Sequence, residues 1–298
     1  MNQSDLEIAL KSHVSALCTS ERNTSNCPEG LERARDYVLT AFQWLGYQTE
    51  LQEFLADGIT CANVEALAPG FVGHDKPHFI VGAHYDSAPG TLGADDNASA
   101  VAVLLELARL FAGKPGAEAL KFVAYTNEEP PHFCTPTMGS IIHAKACRKR
   151  GDKITGMICL ESLGIFSNDP ASQELPIEFD LLPEASRKLL LPSGLDPSIG
   201  NFLAVIGNPD SAEFMERFVC QMTNDEKLPV LATEILEIRL SDHLAYWDEG
   251  YPAIMLTDTA LFRNSHYHLA SDTPEKLNYP IMDLLTERIA DAVDFLLK

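Results

Sequence analysis

Residues 78–86, HFIVGAHYD, form an apolar run that ends on polar side chains. A strand buried on both faces reads this way, and its polar end delivers side chains to a site rather than to the core. The loop that follows, SAPGTLGADD, leads into Asn97–Phe111, a stretch rich in Ala, Leu and Val that is expected to be a helix. This unit opens an alternation that runs through the chain. A helix is expected over Gly30–Gly46, where apolar residues recur at helical spacing and the last glycine suits a left-handed cap. Strands are expected at Tyr47–Leu55, Asn63–Ala68, Leu120–Thr126, Thr155–Cys159, Asn201–Ile206, Leu231–Ile238 and Ala253–Thr257, and helices at Gly139–Arg150, Ser211–Met222 and Ile281–Leu297. Strands alternating with helices imply right-handed crossovers and a largely parallel sheet. Pro170–Gly200 contains five prolines and no clear period, so a lid or irregular loop is expected around 165–200.

A chain of 298 residues with 46% hydrophobic content is long enough for one large α/β core. No linker, repeat or low-complexity tract divides it, and residues 1–298 are read as a single domain. No apolar run approaches the roughly 20 residues of a membrane-spanning helix. The first residues, MNQSDLEIALKSHVSALC, carry acids and polar groups where a secretory leader needs a basic start and an apolar stretch, so a cytoplasmic location is expected. A processed secreted form stays open. Seven cysteines without a CxxC pair are read as mostly buried thiols, Cys18 and Cys27 being the two that a longer, exported precursor would bridge. A formal charge of −21 and a pI near 4.7 repel nucleic acid and anionic membranes, and neither is an expected partner. Solubility or a saline habitat accounts for that acidity more simply than a steering role.

In open α/β sheets ligands bind beyond the carboxyl ends of the strands. The residues found there are His84 and Asp86, Glu128 and Glu129, Glu161, and Asp258, joined by Asp95 and Asp96 at the start of the next helix and by His266 and His268 in RNSHYHLASDTPEKL. Two imidazoles and three carboxylates from separate strand ends are able to supply two zinc ions, each with a terminal His, a terminal carboxylate and one shared carboxylate. The residues alone leave open which of them pair. An isolated Asp-Asp or Glu-Glu is usually a solvated turn or a helix start, and only their joint occurrence raises the functional reading. His13, His74, His78, His132 and His143 stand outside any motif and are read as structural or exposed.

The stretches AHYDSAPGTLGADDNAS (83–99), YTNEE (125–129), MGS (138–140), LESLG (160–164), SDHLAYWDEGYPAIMLTDTA (241–260) and YHLASDT (267–273) together resemble the M28 peptidases, zinc aminopeptidases of the co-catalytic two-metal type. The resemblance implies a three-layer α/β/α fold with a central mixed, largely parallel sheet. It implies His84 as a terminal ligand of one zinc, oriented by Asp86, which gives Asp86 a part in catalysis. Asp96 matches the bridging carboxylate, and Asp95 is left as an N-cap for the following helix. Glu128 matches the general base, Glu129 a zinc ligand and His268 the last ligand, while His266 is left at the surface or behind the ligands. Adjacent glutamates can do different jobs only if the chain turns between strand and loop, and Pro130-Pro131 stops the strand there. Three departures stand out: Glu161 where the family usually has Asp, Ala100 where it commonly has Gly, and an apparent insertion at 130–137.

The function implied is hydrolysis of the N-terminal peptide bond of peptides, with two zinc ions, a shared water and Glu128 as base. The acidic pocket suits a peptide or small amide with a free amino terminus. Asp242, beside His243, is a candidate contact to substrate or to groups behind the ligands, and Arg263, the cation nearest the final ligand, is a candidate substrate contact or, equally, a structural ion-pair partner. Glutaminyl-peptide cyclisation with a single zinc, hydrolysis of a non-peptide amide, and a non-catalytic receptor or scaffold are the alternatives. The scaffold reading expects ligands or Glu128 to be lost, and this chain retains them all. Manganese or cobalt would fit the same ligands.

Overall fold

A computed structural model describes residues 3–174, 195–222, 227–234 and 238–298. Most of the expected lid, 175–194, and the end of the strand expected at Leu231–Ile238 fall outside the described residues. Two helices open the chain, α1 (Asp5–Leu17) and α2 (Pro28–Trp44), followed by strands β1 (Gln48–Ala56), β2 (Ile59–Leu67) and β3 (His78–His84). Then come α3 (Ala100–Phe111), β4 (Leu120–Tyr125), α4 (Gly139–Arg150), β5 (Ile154–Glu161), β6 (Leu203–Gly207), α5 (Ala212–Met222), β7 (Val230–Glu234), α6 (His243–Asp248), β8 (Ala253–Thr257) and α7 (Tyr279–Leu296).

The strands form one eight-stranded sheet in the order β1-β2-β4-β3-β5-β8-β6-β7. Its centre, β4-β3-β5-β8, is parallel, and β2 and β6 pair antiparallel with its two sides. Alternation along these strands sends successive side chains to opposite layers. Val81, Phe122, Ile158 and Leu160 join the apolar layer under α1, α2, α3, α5 and α7, whereas Ile80, Val123, Met157 and Cys159 join the layer under α4 and α6. The fold is therefore a three-layer α/β/α sandwich with a mixed, centrally parallel sheet.

Local sequence explains several boundaries. Gly46 takes φ +84° after α2, with its N–H bonded to Gln43 O and that of Tyr47 to Phe42 O, the left-handed cap that the glycine allows. Asp57-Gly58 turns β1 into β2 with both residues at positive φ, so β2 starts at Ile59 rather than at Asn63. Helix α1 was not anticipated, since its residues were weighed only against the pattern of a secretory leader. Ser4 caps it by accepting from Glu7 N–H, and Leu6, Leu10, Val14 and Leu17 bury one face. All seven cysteines are free thiols, Cys18 and Cys27 included.

Candidate metal centre

The parallel strands end where the polar residues begin. His84 closes β3, Glu161 closes β5, and β4 ends at Tyr125 just before Glu128 and Glu129. The turn after β4 comes earlier than the prolines: Asn127 has φ +60°, which swings the two glutamates out of strand geometry. Asp86 holds that turn, its Oδ1 accepting from Glu128 N–H (3.2 Å) and its Oδ2 from Glu129 N–H (3.0 Å). The same Oδ1 lies 3.4 Å from His84 Nδ1, so the carboxylate that holds both glutamates also faces the imidazole.

Two groups of potential ligands result, and Asp96 belongs to both: His84, Asp96 and Glu161 in one, Asp96, Glu129 and His268 in the other. His84 Nε2 is 3.3 Å from Asp96 Oδ1 and 3.3 Å from Glu161 Oε2. His268 Nε2 is 3.1 Å from Asp96 Oδ2 and 3.1 Å from Glu129 Oε2. His268 is in the left-handed region (φ +57°), with its ring stacked on Tyr267 at 3.9 Å between centroids. Asp96 thus turns one oxygen to each histidine. Glu128 stands apart from both groups, its Oε2 3.8 Å from His84 Nε2. The extra methylene of Glu161 is accommodated, because Ser162 Oγ donates to Oε1 (3.0 Å) and Ser241 Oγ to Oε2 (2.6 Å).

These groups crowd carboxylates into a buried site. Burial raises Glu128 well above the usual carboxylate range, and burial with the Asp96 charge pushes Glu129 up to about 8. Burial opposes charge on the imidazoles too, yet Glu128 and Glu161 hold His84 well above its ordinary value, and hydrogen bonds to Asp96 and Glu129 bring His268 to about 10. Among the described residues, the ion-pair partners of Asp96, Glu128, Glu129 and Glu161 are these two histidines, with no Lys or Arg. His84 Nε2 and Asp96 Oδ1 are buried without a hydrogen-bond partner. Orphaned donor atoms facing each other among mixed N and O ligands fit zinc.

Other expectations are corrected. Asp95 is not an N-cap: its carboxylate accepts from Gly164 N–H (2.9 Å) and Asn264 Nδ2 (2.9 Å), tying three loops together. The helix after it begins with an irregular wide turn, Ala94–Ser99, and Ala100 has ordinary helical angles that need no glycine. Asp242 has no exposed surface; it sits behind the site, under the fields of His84 and Glu161, and burial lifts it to about 7. Arg263 donates to Gln173 Oε1 (2.7 Å) and Ile165 O (3.2 Å) and lies over the Phe166 and Phe202 rings, with its Nη2 buried and without a hydrogen-bond partner. His266 bonds Ser271 Oγ and joins no ligand group, and Asp258 accepts from Ile165 and Ala260 N–H. In the 130–137 segment, His132 is buried and bridges Thr24 and Thr137.

One further cluster went unread in the sequence. His74, His78 and Asp152 converge near the starts of β3 and β5, but Lys121 Nζ lies 3.5 Å from His74 Nδ1 and 3.8 Å from Asp152 Oδ2. That cluster already holds a cation.

An α/β/α sheet with clustered imidazoles and carboxylates at its strand ends, and a spare carboxylate beside them, defines a metallohydrolase. Comparison narrows the class: residues 69–293 match peptidase family M28, and the chain belongs to that family. It is accordingly a zinc-dependent hydrolase. It is 37% identical over 266 residues to the uncharacterized protein YfbL of Escherichia coli, across 85% of this chain and 77% of that protein. Among solved structures it resembles a Zn-dependent exopeptidase from Parabacteroides distasonis (TM-score 0.69, 16% identity, 96% of this chain and 97% of the other). It resembles Porphyromonas gingivalis glutaminyl cyclase equally (TM-score 0.69, 17% identity, 98% and 99%). At such identities the likeness shows the fold.

Proposed function

We propose that this protein is a two-zinc aminopeptidase that removes N-terminal residues from peptides. The observation that carries the reading is the meeting of two ligand groups at Asp96. His84, Asp96 and Glu161 would hold one zinc ion and Asp96, Glu129 and His268 another, and the metal would supply Lewis acidity and a water of lowered pKa. The chain's own residues do the rest. Glu128 belongs to neither ligand group, and burial keeps its proton affinity high. It takes the proton of the attacking water and returns it to the leaving amine. Asp86 fixes the tautomer and tilt of His84 while holding Glu128 in place through its N–H. Asp242 acts from behind His84 and Glu161 rather than on substrate, and Arg263 braces the loop that leads to His268.

The excess of carboxylates favours a free α-ammonium at the substrate's end, which supports exopeptidase over endopeptidase action. The test is a mixed peptide pool incubated with zinc-loaded protein, half of it N-acetylated, read by mass spectrometry. Stepwise shortening of the free peptides alone is expected. Conversion of N-terminal glutamine to pyroglutamate without shortening would favour the cyclase reading, and no change in either half would contradict peptide chemistry altogether.

A further inference from the structure

Arg22 is among the largest fully buried side chains, 1% exposed, and among the described residues no carboxylate forms an ion pair with it. Its guanidinium is spent on backbone carbonyls: Nε donates to Tyr85 O (2.7 Å), Nη1 to Leu17 O (3.1 Å) and Leu92 O (2.5 Å), and Nη2 to Gly93 O (3.0 Å). Its backbone pairs with the same loop, N–H to Ser87 Oγ and C=O from Ser87 N–H. Tyr85 follows His84 directly, and Gly93 precedes Asp96 by three residues. One side chain therefore grips both ends of the loop between a terminal ligand and the shared ligand.

The far side of that loop is held by the opposite charge. Asp272 accepts from Asp95 N–H (3.1 Å to Oδ1) and Asp96 N–H (3.3 Å to Oδ2). The carbonyls of Leu92 and Gly93 thus face a buried cation and the amides of Asp95 and Asp96 a buried anion. The winding is tight: Gly93 has φ +57°, and a Cβ there would stand 2.2 Å from Asp96 O. A planar guanidinium spans these separated carbonyls with a fixed fork of donors, which an ammonium cannot do.

We infer that Arg22, which precedes the residues matched to the family, is a positioning residue that holds His84 and Asp96 in ligand geometry before any metal arrives. The inference rests on the ligand assignment proposed above. Supporting residues of this kind typically contribute about 10- to 100-fold in metal affinity. The experiment compares wild type, Arg22→Lys and Arg22→Met by chelator competition for zinc, by kcat and KM separately, and by thermal melting of the metal-free proteins. Arg22→Met is expected to bind zinc about 10- to 100-fold more weakly, with kcat falling more than KM rises, and Arg22→Lys to lie between it and wild type. A lower melting temperature with unchanged zinc affinity and kcat in the folded fraction would mark Arg22 as merely structural and overturn the inference. If Arg22→Met does not fold, Arg22→Lys is read by the same criteria. Hydrogen exchange on metal-free wild type decides independently: slow exchange at Ser87, Asp95 and Asp96 is expected, and fast exchange there overturns the inference. Failure of wild type to bind zinc would instead refute the ligand assignment.

Discussion

At the carboxyl ends of the parallel strands, His84 and His268 face Asp96, Glu128, Glu129 and Glu161, and no Lys or Arg among the described residues pairs with these carboxylates. At the opposite ends, His74, His78 and His143 face Glu65 and Asp152, and here the chain brings its own cations. Lys121, fully buried, lies 3.1 Å from Glu65 Oε2, and Arg150 takes both oxygens of Asp152 at 2.6 and 2.7 Å. The residue types are alike and the charge balance is opposite. Histidine near carboxylate therefore does not by itself make a metal site. What distinguishes the end that carries His84 and Asp96 is a deficit of positive charge that the fold leaves uncorrected among the described residues.

The comparison is broken most severely at Glu128. Glu128→Gln removes the proton acceptor without touching a ligand, so zinc content is expected to stay unchanged while kcat falls about 10²- to 10⁴-fold. Retained turnover would remove Glu128 from the reaction. At the other end, Lys121→Met withdraws the internal cation and leaves Glu65 and Asp152 underpaired. Chemical denaturation of the variant is expected to show a loss of about 3–5 kcal/mol, and a change under 1 kcal/mol would mean that Lys121 does not balance the cluster.

Stripping zinc tests the deficit from the catalytic side. Stability should fall by about 3–4 kcal/mol for each ion removed, relative to protein in free zinc at 100 to 1,000 times Kd. An unchanged denaturation midpoint would deny that the ions bind the folded chain. The smallest effect is a pH dependence. Burial opposes charge on His143, yet Cys147 and Glu65 raise it to about 9. Its folded value exceeds its unfolded one near 6.5, so its contribution is full below about pH 6.5 and is lost as pH rises through about 9. The stability difference between zinc-loaded wild type and His143→Gln should shrink across that window, by at most about 3 kcal/mol. A difference that is flat from pH 6 to 10 would show that His143 is neutral throughout.

The catalytic end was far more legible in the sequence than its counterpart. His84 and Glu161 close strands and Glu129 follows one, and alternation of strands and helices is enough to bring strand ends together, whereas Asp96 and His268 lie in later turns and were assigned through the family resemblance. The resemblance to the family then separated ligand from base in Glu128-Glu129, and the structure adds Asn127 as the residue that turns them apart. Asp95 was misread because a local rule, helix capping, was applied to a side chain whose partners, Gly164 and Asn264, lie far along the chain. Glu65, Lys121 and Asp152 come from β2, β4 and the turn before β5, and nothing in their local spacing shows that a sheet pairs them. Arg22 was invisible for the same reason, since its partners are backbone carbonyls and carry no sequence signal. Helix α1 and the Asp57-Gly58 turn were different: Ser4 three residues before Glu7, and an Asp-Gly pair between two strands, are signals that local rules do recognise.

The central claim is that one carboxylate, Asp96, serves two ions. Crystals of the zinc-loaded protein, measured on both sides of the zinc absorption edge, test it most directly. Two anomalous peaks flanking Asp96 are expected, one beside His84 and Glu161 and one beside Glu129 and His268. A single peak, or a second one away from Asp96, would contradict it.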